Sequence, residues 1–386
     1  MRIAIQQPAL PAYRVPFFKR LGESCVNDDI VLHYGSEEPA LTNAEPDGFK
    51  AIFNPFQTAK VAMVGKVFWH HTQWQIVDGR SYDAVVLSAN MRFVSYWLAL
   101  IRARINRVPV AVWGHGFSKS GRSFVRDWIR SLPLRLASAA VFYDHVTAER
   151  WVAAGIDQNR VFVAPNGLDS TAIESVRQTL GDQLGAKSAL RRRIGLAADT
   201  PVLLFVGRLM PENRLDIAFQ ALASILLTHP DTRMAIIGAG EQEQRSLSSL
   251  ASELNIEDAI IWVGEQYTER SLAEWFTAAD LFVYPANVGL SLIHAFNYGL
   301  PAIICGPVSS HNPEVAALTH RVNGVVTEEL SADSLAAAIS SLLSSQQMLT
   351  SMGAAALKTV TYSHNVNQMV DAFQMLFQHL NALNRR

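Results

Sequence analysis

The sequence predicts an α/β fold of two doubly wound, parallel-sheet domains, and three observations predict it. Eleven short apolar, β-branched runs recur along the chain, and helical stretches separate them. The chain has 386 residues, 49% of them apolar, which exceeds the size at which a single core stops growing.

The first set of runs is RIAIQQ at 2–7, IVLHY at 30–34, AVVLS at 84–88, VPVAVW at 108–113, AAVFY at 139–143 and VFVAP at 161–165. The second set is VLLFVG at 202–207, MAIIG at 234–238, IIWVG at 260–264, LFVYP at 281–285 and PAIIC at 301–305. Continuous apolar strands, as opposed to alternating ones, imply parallel sheets covered on both faces. Residues 170–200 are polar and helical, with Arg191, Arg192 and Arg193 before Gly195, and are the linker candidate. From Ser363 onward, Val366, Met369, Val370, Phe373, Leu376, Phe377 and Leu380 recur at helical spacing. The expected division is an N-terminal domain at 1–185, a second at 186–362 and a helix at 363–386 that packs back toward the first.

Composition narrows the function classes. No segment has the order of a cleaved leader, and no apolar run approaches the ~20 residues that span a bilayer, so a soluble or peripheral protein is expected. Cys25 and Cys305 are isolated thiols without C-x-x-C spacing, which implies neither a disulfide framework nor a zinc site. Residues 1–190 carry 21 Lys and Arg against 16 Asp and Glu, whereas residues 191–386 carry 12 against 18. A basic first half suits an anionic partner such as a membrane surface or a phosphorylated acceptor. Nucleic acid is not expected as a partner.

Ligands of open parallel sheets bind beyond the carboxyl ends of the strands, so the residues that follow each strand are the candidates. They include Gln6, Ser88, Asn90, His115, Tyr143 and Asn166 in the first half, and Gly207, Arg208, Gly238, Gly240, Gly264, Glu265 and Gly289 in the second. Taken singly, each also reads as an ordinary turn residue. The most informative stretch is ADLFVYPANVGLSLIHAFNYGLP at 279–301, where a buried strand empties into a Gly turn that opens a helix. Such a turn points unpaired N–H groups of Gly289, Leu290 and Ser291, and the positive end of the helix dipole, at an anion. A diphosphate fits it. In VGRLMPENRLD at 206–216, Arg208 directly follows a strand, with Asn213 and Arg214 opening the next helix. A guanidinium there could stabilise a leaving diphosphate, and a solvated helix cap is the alternative. The G-x-G of IIGAGE is a weak signal alone.

In order from 206 to 326, VGRL with PEN, IIGAGE, IIWVGE, AADLFVYP, VGLSLIHAFNYGLP and NGVV resemble the C-terminal domain of the retaining glycosyltransferases of family 4. QPALPAYRVPFF at 7–18, WGHG at 113–116 and APNGLD at 164–169 resemble the family's N-terminal half more loosely. The resemblance implies the GT-B fold, two Rossmann-like domains with parallel sheets facing across a cleft. It implies a nucleoside-diphosphate sugar as donor, bound by Arg208, Asn213, Arg214, Gly238, Glu265, Gly289, Leu290, Ser291 and His294. It puts His115 beside the reacting bond, and Tyr13, Arg14 and Asn90 on the acceptor side. Two departures stand out. The family's E-x7-E glutamates fall on Ala286 and His294, and its usual Lys after the Gly-Arg turn falls on Asn213.

There is no D-x-D pair, so neither a metal nor any other cofactor is expected, and Arg208, Arg214 and the helix N-terminus would take the diphosphate charge. His70 and His71 are adjacent and lack metal-ligand spacing. In FSKSGRSFVRDWIRSLPLRLA at 117–137, Arg122, Arg126 and Arg130 are four residues apart, with Phe124, Trp128 and Leu132 on another face. That helix could lie on anionic headgroups, or pack its aromatics on the core and solvate its arginines. The expected function is transfer of a hexose to a saccharide or lipid-linked saccharide for a surface polysaccharide or glycolipid, in the cytoplasm or on the cytoplasmic membrane face. The alternative is a degenerate member that binds nucleotide or glycan as a partner subunit.

Overall fold

The computed structural model describes residues 1–36, 43–61, 65–116, 124–180 and 183–385. In chain order the strands are β1 (Arg2–Gln7), β2 (Asp29–Tyr34), β3 (Lys50–Phe53), β4 (Gln57–Val61), β5 (Gly65–Trp69), β6 (Ala84–Ser88), β7 (Val110–Trp113), β8 (Ala139–Phe142), β9 (Val161–Val163), β10 (Val202–Val206), β11 (Arg233–Ile237), β12 (Ile260–Gly264), β13 (Leu281–Tyr284), β14 (Ala302–Cys305) and β15 (Gly324–Thr327). The helices are α1 (Val15–Ser24), α2 (His71–Gln75), α3 (Val94–Asn106), α4 (Phe124–Leu136), α5 (His145–Ala153), α6 (Ser170–Thr179), α7 (Gln183–Arg193), α8 (Leu215–Ile225), α9 (Glu241–Glu253), α10 (Glu269–Ala278), α11 (Leu290–Asn297), α12 (Ala332–Leu343), α13 (Gln346–Tyr362) and α14 (Val366–Asn384).

These elements form two compact units, Met1–Asn166 with Val366–Arg386, and Gly167–Asn365. The first holds a seven-stranded parallel sheet in the order β3-β2-β1-β6-β7-β8-β9, and a separate antiparallel hairpin, β4-β5. Its central strands β6, β7 and β8 are apolar and buried at every position but the half-buried Ser88 at the end of β6, which is what helices on each side of a parallel sheet require. α14 lies against α1, with the Phe17 and Phe373 rings 5.0 Å apart and Trp113 4.8 Å from Phe373. Three aromatic rings packed edge to face give this layer both apolar area and defined geometry.

The second unit holds a six-stranded parallel sheet in the order β12-β11-β10-β13-β14-β15. Its core runs through β10, β13 and β14 and the apolar faces of α8, α11 and α12. The polar stretch 170–200 is an integral layer of this unit and not a linker, since α6 and α7 both pack on α10. Asp280, at the start of β13, explains why. It accepts from Lys187 Nζ at 2.6 Å and from the Val202 N–H at 2.8 Å, and pairs with Arg191. Arg191 is buried and also donates to the carbonyls of Ala278 and Ala198. One Arg of the triplet is therefore a bolt, satisfied by a carboxylate about ninety residues away. Burial pushes the Lys187 amine below its ordinary value, with Asp280 opposing.

Candidate functional site

In the second unit the loops after β10, β11 and β12 are hydrogen-bonded in series. The Gly207 N–H donates to the Ile237 carbonyl at 2.9 Å, Leu209 to Ala239 at 2.8 Å and Gly238 to Gly264 at 3.0 Å. Two glycines permit this approach. Gly238 has φ +142°, and a Cβ there would stand 1.8 Å from the Gly207 carbonyl oxygen. Gly240 has φ +155°, and its Cβ would stand 2.3 Å from the Leu209 oxygen. The G-x-G is therefore a packing device that fixes the loop carrying Arg208. Arg208 itself is exposed, and it lies close enough to Tyr284 to offset part of the burial that pushes that phenol up to about 12.

Asn213 is buried, and it joins this loop to the turn before α11. Its Nδ2 donates to the Arg208 carbonyl at 2.6 Å, and its own carbonyl accepts the Ala286 N–H at 3.2 Å. Its Oδ1 also faces Asn287 Nδ2 at 3.4 Å. The side chain expected to contact the donor is thus committed to positioning Arg208 beside the α11 turn. Arg214, at φ 56°, sends Nε and Nη2 to the two oxygens of Asp216, each at 2.9 Å. That pairing raises the guanidinium above its ordinary value and occupies its fork.

Gly289 caps α11 and has no side chain with which to accept from its first turn, and among the described residues no hydrogen bond from the Leu290 or Ser291 N–H is seen. The residues behind the turn were not legible in the sequence. His311 is buried, accepts the Val288 N–H on Nδ1 at 3.1 Å, and donates Nε2–H to the Cys305 carbonyl at 2.7 Å. It thereby ties the turn to the end of β14 and sets its own tautomer. Asn312 donates Nδ2 to the Asn287 carbonyl at 3.0 Å. A Cβ at position 289 would come within 3.3 Å of that amide, so the glycine keeps the mouth clear.

His294 lies on the face of α11 turned toward α10. Its Nε2 meets Glu269 Oε1 at 2.9 Å, and its ring lies 4.5 Å from Phe276. Tyr298 donates to the same carboxylate oxygen. Burial raises Glu269, but the bonds from His294 and Tyr298 outweigh it and hold the carboxyl below its ordinary range. Glu269, missed in the sequence, thus supplies a carboxylate next to the helix position where the family's second glutamate is absent. Glu265 is exposed at the end of β12 and accepts from the Tyr267 hydroxyl.

In the first unit, His115 follows β7 and is exposed, its ring 4.9 Å from Tyr143. The flanking glycines serve the protein's own packing. A Cβ at Gly114 would meet Ala89 at 2.8 Å, and one at Gly116 would meet Thr147 at 2.6 Å. Arg14 is only 5% exposed. Its guanidinium lies 4.6 Å over Trp113 and 5.3 Å over Tyr13, and Nη2 donates to Asn166 Oδ1 at 2.6 Å. It holds the ends of β7, β8 and β9 together from beneath while half-buried Tyr13 lies above it. Asn90 turns Oδ1 back to the Arg92 N–H at 3.0 Å and so shapes the turn after β6. Residues 117–123 of the segment expected to touch a membrane lie outside the described residues; of the remainder, Trp128 is exposed and Leu134 buried.

Two parallel sheets, each doubly wound, define the GT-B fold, and solved structures with that architecture cover nearly the whole chain. Anabaena Alr3699/HepE in complex with UDP has a TM-score of 0.72 at 16% identity, covering 98% of this chain and 99% of its own. A glycosyltransferase from Rickettsia africae has a TM-score of 0.72 at 13% identity, covering 98% of each chain. Residues 186–359 match the family described as glycosyl transferases group 1. A D-inositol 3-phosphate glycosyltransferase from Geodermatophilus obscurus is 30% identical over 243 residues, covering 60% of this chain and 51% of its own. One from Thermobispora bispora is 33% identical over 186 residues, covering 45% and 42%. The chain spans about half the length of the curated relatives it matches.

Proposed function

We propose that this chain is a retaining glycosyltransferase that moves a hexose from a nucleoside-diphosphate sugar to a saccharide or lipid-linked saccharide, for a surface polysaccharide or glycolipid made on the cytoplasmic side. The observation that carries the reading is the Gly289 turn of α11, with the Arg208 loop tied to it by Asn213, inside the segment matched by the glycosyltransferase family. Backbone N–H groups and an exposed guanidinium suit the charge that develops on a departing diphosphate. The reading assigns the leaving-group charge to these protein donors. In a retaining reaction of this kind the departing phosphate oxygen takes the proton of the acceptor hydroxyl on the same face, so no protein nucleophile is required. On this reading His115, Tyr13 and Asn90 mark the acceptor side, and Glu265 and the Glu269–His294 pair lie toward the nucleoside.

A second reading is nucleotide binding without transfer, as a partner subunit. Ala286 and His294, where the family has carboxylates, favour it. The two part in one assay. A thermal-shift panel of UDP, GDP and dTDP should raise the melting temperature with one of them, because a ligand selective for the folded state stabilises it by mass action. The matching nucleotide sugars should then release free nucleoside diphosphate in the presence of saccharide acceptors. Binding with no release under any acceptor supports the second reading, and neither binding nor release removes both.

A further inference from the structure

The outer face of α3 carries an apolar stripe that, among the described residues, no element covers. Val94, Leu98, Ile101 and Ile105 follow one another at steps of four, three and four, one line down a helix, and are 45%, 40%, 49% and 75% exposed. The stripe runs about 16 Å at 1.5 Å per residue. α4 packs beside α3 and adds Trp128 and Ile129, 57% and 39% exposed. Scattered exposed apolar residues need no explanation, but five aliphatics and a tryptophan on two adjoining helices form a patch, and such patches mark contacts. The other face of α3 is already spent on the core through Tyr96, Ala99, Leu100 and Ala103. The stripe is therefore surplus to folding.

Charge selects the partner. Between Asp83 and Asp127 the chain has no Asp or Glu, while it has seven Lys and Arg. Arg92, Arg104 and Arg107 are exposed at the ends and flank of the stripe, and Arg135 is exposed on α4. A second copy docked on this face about a two-fold axis would set these arginines against their own equivalents. A bilayer containing anionic lipid instead meets the aliphatic line with acyl chain and the arginines with headgroup phosphate, with an indole at the level where indoles partition. We propose that the α3–α4 face of the first unit seats the protein on an anionic membrane surface, with α3 as the principal contact. This goes beyond the transferase reading and does not depend on it.

Co-flotation of the purified chain with vesicles tests it. Vesicles of phosphatidylcholine with about 30% phosphatidylglycerol should hold the protein at least tenfold more strongly than phosphatidylcholine alone. Ile101→Glu with Ile105→Glu, both on exposed positions that the core does not use, should cut that binding at least tenfold and leave the melting temperature within a degree or two. Equal partition of the wild type onto both vesicles overturns the proposal, as does unchanged binding by the double variant. A dimer in solution that the double variant dissociates also overturns it, because the stripe would then be a self-association surface.

Discussion

Arg208→Ala should lower the turnover number about 10²–10³-fold, the cost of removing one preorganised donor from developing charge. It should weaken binding of the free nucleoside diphosphate much less, by about tenfold or under. The asymmetry follows from where the charge is. On the proposed reading, bound diphosphate is served by the N–H groups of Leu290 and Ser291, which belong to the backbone and survive the substitution. On the same reading, the extra negative charge that appears as the glycosidic bond breaks falls to the guanidinium. Arg214 cannot readily replace it, because its fork is closed on Asp216. Steady-state kinetics with calorimetric binding separates the two quantities, and equal losses in turnover and in diphosphate affinity would assign Arg208 to ground-state binding alone.

Gly238→Ala should be the most damaging single methyl group in the second unit. The added carbon would sit 1.8 Å from the Gly207 carbonyl oxygen, and the φ of +142° lies where side chains are rarely tolerated. The neighbour is backbone, so nothing swings aside. The expected cost is about 3 kcal/mol or more, from strain plus displacement of the loop. Because the displaced loop carries Arg208, nucleotide binding should fall with stability. Gly22→Ala is the control: it lies inside α1 with nothing within 4 Å of the added carbon, and should stabilise by about 0.5–1 kcal/mol. Chemical denaturation of both variants reads this contrast, and a Gly238→Ala protein as stable as the wild type would mean that the loops after β10 and β11 do not touch as described.

The sequence disclosed the parallel strands that are apolar throughout, because burial on both faces leaves one compositional trace. It did not disclose β3, which is largely exposed at the sheet edge, or the hairpin β4-β5, whose residues follow neither pattern clearly. The α11 turn was legible because its chemistry resides in the backbone and in a glycine. The groups that support it were not. His311 acts on Val288, 23 residues earlier, and Glu269 on His294, 25 residues later, and no local spacing signals either bond. Burial was the hardest property to foresee for polar residues. Asn213 and Arg14 occupy loop positions that ought to face a ligand, yet one is spent joining two loops and the other lies under an aromatic cage.

The most direct test of the central claim is a crystal structure of the chain with UDP. The account predicts a diphosphate oxygen within about 3 Å of the Leu290 or Ser291 N–H, at ordinary hydrogen-bond distance, with the Arg208 guanidinium on the same diphosphate. UDP bound elsewhere, with the α11 turn filled by the amide of Asn312, would contradict it.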